Sequence, residues 1–458
     1  MQLKSFNGVF IVFLALLLPF VASNVPSVIS SVHQLQLFDV SRLLLVVVFL
    51  LAPSSVFKKF LLFKKLILIL FFLSFAEFFA ILLNQGHNSN SLLKVFNLPF
   101  SLLYYIFLPY VTLDYLFCRI CEEKRNIIGR NVLHTSNLIV IFVCILQLNS
   151  LFDVISPVSA IYNNFLFYFF EGRWGGWGNF SSTNISSEIL YLSNITTSPI
   201  VLNIKRLSGT FQEPASLAIY CSLALLPLLF SFIESGKWHP YRFYMFSLFL
   251  APVLIFFTVS STGFLVLFVD ITILIFFLSF KKNKAKLIFL YFLFGAIIII
   301  LMPYIYEKLY VFEKLITVGD DSSSTRYGSI FAAVNLFLDN PFGVGYGNHT
   351  ALLPDYIPDW GLTIENTKSS VALHSLIMRV VVDFGVIGIG VLIYILRAFY
   401  ITTKRICEPD DSTFARYFFI NVIIISISDL PFNEIWLIFI FYLVFNVFIK
   451  KGSKSETC

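Results

Sequence analysis

Charge is what this chain has least of. Only 13% of its 458 residues are Asp, Glu, Lys or Arg, against 58% hydrophobic. A water-soluble domain of that length needs far more charged surface, so a soluble globular protein is excluded. Cysteine is also scarce. The six present (Cys118, Cys121, Cys144, Cys221, Cys407 and Cys458) fall in apolar spans or in segments expected on the cytoplasmic side, so no disulfide framework is implied. Cys118 and Cys121 form CRIC, a CxxC with no second ligand pair, which reads more simply as two juxtamembrane thiols than as a metal or redox site. Internal repeats are missing too, and carboxylate clusters in the segments expected on the outer side reduce to Asp320 and Asp321 in GDDSSS, which reads equally well as a turn.

What fills the chain instead is apolar sequence, with 55 Phe and a mean hydropathy of +0.85. Continuous apolar runs of about 17 to 25 residues recur from end to end, the length a helix needs to cross roughly 30 Å of hydrocarbon. A transmembrane β-barrel would show alternating strands of about ten residues, which these runs are not. The expected fold is therefore all-α, a polytopic integral membrane protein forming a single membrane domain over 1–458. About twelve transmembrane helices are expected, near 7–23, 40–57, 66–84, 97–117, 137–158, 215–233, 243–260, 263–280, 287–304, 375–396, 417–431 and 433–449. The first also fits a cleaved signal peptide, through Lys4, its apolar stretch and VAS at 21–23.

Lys and Arg are retained on the cytoplasmic side of short loops. Starting with the N-terminus inside, the alternate loops collect 22 of the 32 basic residues, which places both termini in the cytoplasm if the first span is retained. The net charge of +6 follows from this bias and gives no reason to invoke nucleic acid. Two long outer loops result, roughly 159–214 and 305–374. Loops of this length in a compact protein are usually functional or disordered. The first holds GRWGGWGNF, whose Trp174 and Trp177 suit either the membrane interface or stacking on sugars. Four glycosylation sequons, NFS, NIS, NIT and NHT, carry meaning only in a eukaryotic secretory pathway. The second loop holds STRYGS at 324–329 and NPFGVGYGN at 340–348. Its Gly343, Gly345 and Gly347 permit tight turns and close backbone approach, but they do not follow a strand as a dinucleotide fingerprint would.

The segment RLSGTFQEPASLA (206–218) ends the first loop, with Pro214 suited to a first helical position. The helix beginning there runs inward, so its unpaired N–H groups and Arg206 make an anion site at the outer face. A second inward span begins beside His374, after the loop with Arg326. Pyrophosphate on a lipid carrier suits such a place, since the arginine fork matches phosphate oxygens. Plainer readings stand beside these. Arg206 and Arg326 can pair with lipid phosphates. His374 can be an interfacial hydrogen-bonding residue, and Glu213 can serve the helix dipole. Arg379 and Asp383, four residues apart on one helical face, fit mutual neutralisation. Asp429 and Glu434, in SDLPFNE, flank an outer turn and either are solvated there or face the same site.

RLSGTFQEPASLA, STRYGSIFAAVNLFLDNPFGVGYGN and HSLIMRVVVDFGVIG, in that order, resemble the bacterial O-antigen polymerase and O-antigen ligase superfamily over about 200–390. Where the family often has Asn after its His, this chain has Ser375. The resemblance implies a glycosyltransferase of the bacterial cytoplasmic membrane that uses undecaprenyl-diphosphate-linked glycans, with the lipid bilayer and a chain-length regulator protein as partners. It implies diphosphate binding by Arg206 and Arg326, with Arg379 a further substrate ligand, and catalysis by His374. Either Glu213 or His374 suits the base that accepts the proton of the attacking hydroxyl. FQEP resembles polymerase segments more than ligase ones. No cofactor is expected and the reaction is predicted to be metal-independent. The alternative class is a twelve-span transporter or lipid-linked oligosaccharide flippase, which typically has related halves and broken helices near the midplane.

Overall fold

The computed structural model describes residues 50, 64–83, 102–118, 122–152, 155–158, 160, 207, 211, 214–235, 248–258, 260–280, 321–362, 371, 373–404, 409–428 and 435–444. The spans expected near 7–23 and 287–304, that near 40–57 apart from residue 50, most of the 159–214 loop, residues 305–320 and 363–370 of the second loop, Arg206, Glu213, Asp429 and Glu434 lie outside the described residues.

Every regular element described is helical. In chain order the longer ones are α1 (Lys64–Leu83), α2 (Leu103–Phe107 continuing as Leu108–Cys118), α3 (Glu122–Phe152), α4 (Pro214–Tyr220, Cys221–Leu225 and Leu226–Ser235), α5 (Leu250–Thr258), α6 (Ser261–Phe280), α7 (Asp321–Asp339), α8 (Leu376–Lys404), α9 (Pro409–Ser428) and α10 (Ile435–Tyr442), with short helical turns at His349–Leu352, Leu353–Tyr356 and Asp359–Gly361 between α7 and α8. Among the described residues, three segments are long and apolar enough to cross a membrane: Ile128–Asn149, Ala215–Glu234 and Leu376–Ile401. The first lies N-terminal to the span expected at 137–158, because α3 continues from a polar first turn; the other two match expectation closely. Ile67–Ala80, Thr262–Phe276 and Ser412–Ile427 are shorter apolar helices.

Helices α2 to α6, α9 and α10 share one large core. Aromatic rings fill its centre. Phe211, Tyr220 and Trp436 pack mutually with centroids 5.1 to 6.5 Å apart, and Phe399 of α8 stacks on Phe419 of α9 at 4.4 Å. The middle of α4, Cys221–Leu225, is a π-helical turn. Such a turn disturbs the regular carbonyl pairing of a helix. Two asparagines answer it: Asn421 Nδ2 donates to the Ser222 carbonyl at 2.7 Å and Asn137 Nδ2 to the Ala224 carbonyl at 3.5 Å. Asn421 also donates to Asp270 at 2.9 Å, so one amide joins α4, α6 and α9.

Helix α1 packs elsewhere, against α8. Its buried residues Leu73, Ala76, Glu77 and Ala80 recur at i, i+3, i+4 and i+7, one helical face, whereas Phe71, Phe72, Phe75, Phe78 and Phe79 stay exposed. Outward phenylalanines suit lipid, and the small Ala76 and Ala80 let the neighbouring backbone come close. Helix α7 lies within the expected 305–374 loop, so this part of it is ordered structure. Its Ala332, Ala333 and Leu336 share a second core with Val344, Leu353, Val371, Leu373 and Val382.

Candidate active site

Helix α8 starts where the sequence places an inward span. Ser375 caps it: its hydroxyl accepts from the Met378 amide at 3.3 Å, the usual N-cap service to the third helical residue. His374 sits one residue before, half-buried. Two and a half turns later the helix breaks at Gly385, whose φ of 59° and ψ of −142° are not helical. An unbroken helix would bond the Val386 amide to the Val382 carbonyl. Here the amide of Val386 goes to the Pro341 carbonyl at 2.9 Å, while the Val382 and Asp383 carbonyls accept from the amides of Val344 and Gly345, both at 3.0 Å.

The NPFGVGYGN segment is therefore laid into the break in α8, and glycine is demanded where the two backbones cross. Gly343 has φ 89°, and a β-carbon there would strike the Asp383 carbonyl; one on Gly385 would strike the Pro341 carbonyl. Each successive amide of the segment is satisfied. Gly343 N donates to the Asn340 carbonyl at 2.9 Å and Asn348 N to the Gly345 carbonyl at 3.1 Å. Tyr346 N donates to Glu77 Oε2 at 2.5 Å, and Gly347 N to Asp383 Oδ2 at 3.3 Å. Consecutive free amides in a glycine-rich turn commonly bind anions. In this chain the anions are its own carboxylates, so this turn is a structural clasp and its amides are not a phosphate cradle.

Asp383 has a second partner. Its Oδ1 lies 2.7 Å from His349 Nδ1, with both side chains nearly buried at 10% and 4% exposure. The expected neutralisation of Asp383 by Arg379 is thus overturned. The carboxylate is taken by His349 and Gly347, and the Arg379 Nε donates to the Leu373 carbonyl instead. Arg379 itself is exposed. Arg326 stands in the first turns of α7, half-buried, so it is a helical residue and not a loop one. Helices α7 and α8 pack on each other, which brings the elements bearing Arg326, His374 and Arg379 around the second core.

Sequence reasoning missed Glu77 and His349. Glu77 carries a signal, being the lone charge in the apolar run LILILFFLSFAEFFAILL, and an ionisable residue inside a span is a functional candidate by default. His349 stood out only as the middle of the NHT sequon. Here Asn348 Nδ2 donates to the Val344 carbonyl at 2.9 Å and Thr350 Oγ1 to the Gly347 carbonyl at 2.9 Å, so that triplet closes the turn. Among the described residues no group of three or more His, Cys, Asp or Glu is placed to hold a metal ion.

Residues 246–393 match the O-antigen ligase family model. The match bears out the resemblance to the O-antigen polymerase and ligase superfamily read from the motifs. The O-antigen ligase match takes in Arg326, the NPFGVGYGN clasp, His349, His374, Arg379 and Asp383, and leaves Glu77, Arg206 and Glu213 outside it. No curated protein and no solved structure matches the chain. The O-antigen ligase match and the apolar helices together support an integral membrane protein with a role in O-antigen-related polysaccharide biosynthesis.

Proposed function

We propose that this protein is a membrane glycosyltransferase that polymerises undecaprenyl-diphosphate-linked repeat units at the outer face of the bacterial cytoplasmic membrane, with both termini in the cytoplasm. One observation carries this reading: the three motif-bearing stretches inside the O-antigen ligase match, STRYGS, NPFGVGYGN and HSLIMRVVVDFGVIG, fold against one another as α7, the clasp and α8. The donor sugar leaves a diphosphate, already a good leaving group. The protein must stabilise charge developing there, orient two substrates and accept the proton of the attacking hydroxyl. Arg206 and Arg326, with Arg379 beside them in role, supply the positive charge, and His374 or Glu213 stands near the chemistry.

Polymerase is favoured over ligase by FQEP. The ligase reading has the description of the matched family in its favour. The product distinguishes them, since a polymerase lengthens the lipid-linked glycan and a ligase moves finished glycan to another acceptor. The deciding experiment is glycan chain length in cells carrying Arg206→Ala or Arg326→Ala, with protein level and membrane insertion checked. Loss of polymer with single lipid-linked repeat units accumulating on the outer face is the expected result. Unchanged polymer removes the diphosphate site, and units trapped on the inner face point to a flippase.

A further inference from the structure

The pair His349–Asp383 has the form of a base held by a carboxylate. Both Asp383 oxygens act as acceptors, one from the Gly347 amide and one facing His349 Nδ1 at 2.7 Å. A carboxylate oxygen can only accept, so Nδ1 donates to it, and in the neutral form of the ring Nε2 carries the lone pair. Nε2 makes no hydrogen bond to any described residue, and a tenth of the side chain remains accessible. Carboxylate, imidazole Nδ1 and a free Nε2 form the arrangement that fixes a histidine in the tautomer needed to accept a proton. Four residues before Asp383, on the same face of α8, stands Arg379, whose Nε is anchored to the Leu373 carbonyl. Its two terminal nitrogens have no partner among the described residues, so a guanidinium fork is on offer from one helical turn before Asp383.

Resting on the glycosyltransferase reading above, we propose that His349 is the general base of the transfer, oriented by Asp383, and that Arg379 binds the diphosphate of a substrate beside it. In the step, the acceptor hydroxyl gives its proton to His349 Nε2 as its oxygen forms a bond to the anomeric carbon of the donor. The bond from that carbon to the diphosphate oxygen breaks, its electron pair leaves on the lipid diphosphate beside Arg379, and the imidazolium then returns its proton to water. Asp383 acts through His349 and is a positioning residue. His374, one residue before the α8 cap, is left to hold substrate.

The test separates a base from a latch. Asparagine places an amide N–H where His349 has Nδ1, so His349→Asn keeps the donor to Asp383 and removes only Nε2. Glutamine places its amide nearer the Nε2 position and abandons the donor. With the full-length protein in detergent, and the lipid-linked repeat unit extracted from a strain lacking this gene as substrate, chain elongation is followed at several substrate concentrations. The expectation for His349→Asn is a fall in kcat of about 10²- to 10⁴-fold with KM little changed and thermal unfolding as in the wild type. His349→Asn elongating at near wild-type rate, while His349→Gln unfolds early, makes the pair a structural latch and overturns the proposal. Arg326→Ala run alongside keeps the two readings apart. If it elongates normally the glycosyltransferase site itself fails; if it is inactive while His349→Asn works, only the assignment of the base fails.

Should His349→Asn not accumulate as folded protein, His374→Asn decides by its pH profile. Among the titratable or charged groups on the elements packed here are Glu77 of α1, Arg326 and Asp339 of α7, and Arg379 and Asp383 of α8. Residual activity that still falls about tenfold per pH unit on the acid side of the imidazole range keeps the base at His349. Loss of that slope in the residual activity assigns the base to His374 and overturns the proposal.

Discussion

The large helical core and the clasp at α8 hold the chain together in opposite ways. The core of α2 to α6, α9 and α10 is packed with rings and aliphatic side chains, and its few polar ties are side chains reaching across helices, such as Tyr220 to Asn137 at 2.7 Å. The Arg416–Glu234 pair, 2.5 Å apart, ties α9 to α4 in the same manner. At the clasp the contacts are made by backbone amides, and the six consecutive ones from Gly343 to Asn348 each have a named acceptor, four carbonyls and two carboxylates. Side-chain packing tolerates exchange of similar shapes. Backbone crossing does not, because it depends on the absence of a β-carbon at two points and on carboxylates at two others. The part with the stricter geometry is also the part that holds the candidate chemistry.

That contrast can be broken most strongly at the crossing. Gly385→Ala puts a side chain into the left-handed region and against the Pro341 carbonyl, and is expected to cost at least ~3 kcal/mol, read as a large drop in the thermal unfolding midpoint in detergent. A milder probe is Glu77. Glu77→Ala leaves the Tyr346 amide without its acceptor and should cost ~1 to 3 kcal/mol. Glu77→Gln keeps a carbonyl oxygen there and should cost less than half as much, so equal losses for the two would show that the acceptor is not what matters. In the core, Tyr220→Phe removes one cross-helix hydrogen bond, and the expected loss is only about 0.6 kcal/mol by the same unfolding measurement. A core variant more damaging than the glycine variant would reverse the ranking.

The same division explains what could be read from the chain alone. The apolar spans at 215–233 and 375–396 were legible because composition over some twenty residues decides them, and α4 and α8 fall where they were expected. The motif order was legible as well, and the O-antigen ligase match covers most of it. Asp383 was assigned the wrong partner for a physical reason. Spacing along a helix reveals neighbours at i+4, which made Arg379 the natural choice, whereas the true partner lies 34 residues away across a turn. Glu77 and Tyr346 are 269 residues apart, a pairing only the folded chain creates. The break at Gly385 was hidden in VVVDFGVIGIG, since a glycine in a span is ordinarily tolerated by a continuous helix.

Glu77 also says something about modularity. The region resembling O-antigen ligases spans 246–393, yet the acceptor for one amide of its central turn is supplied by α1, far upstream. That region is not a cassette. A chimera that transplants 246–393 into another membrane protein would carry the turn and its broken helix but leave the counter-carboxylate behind, and must bring α1 with it to work.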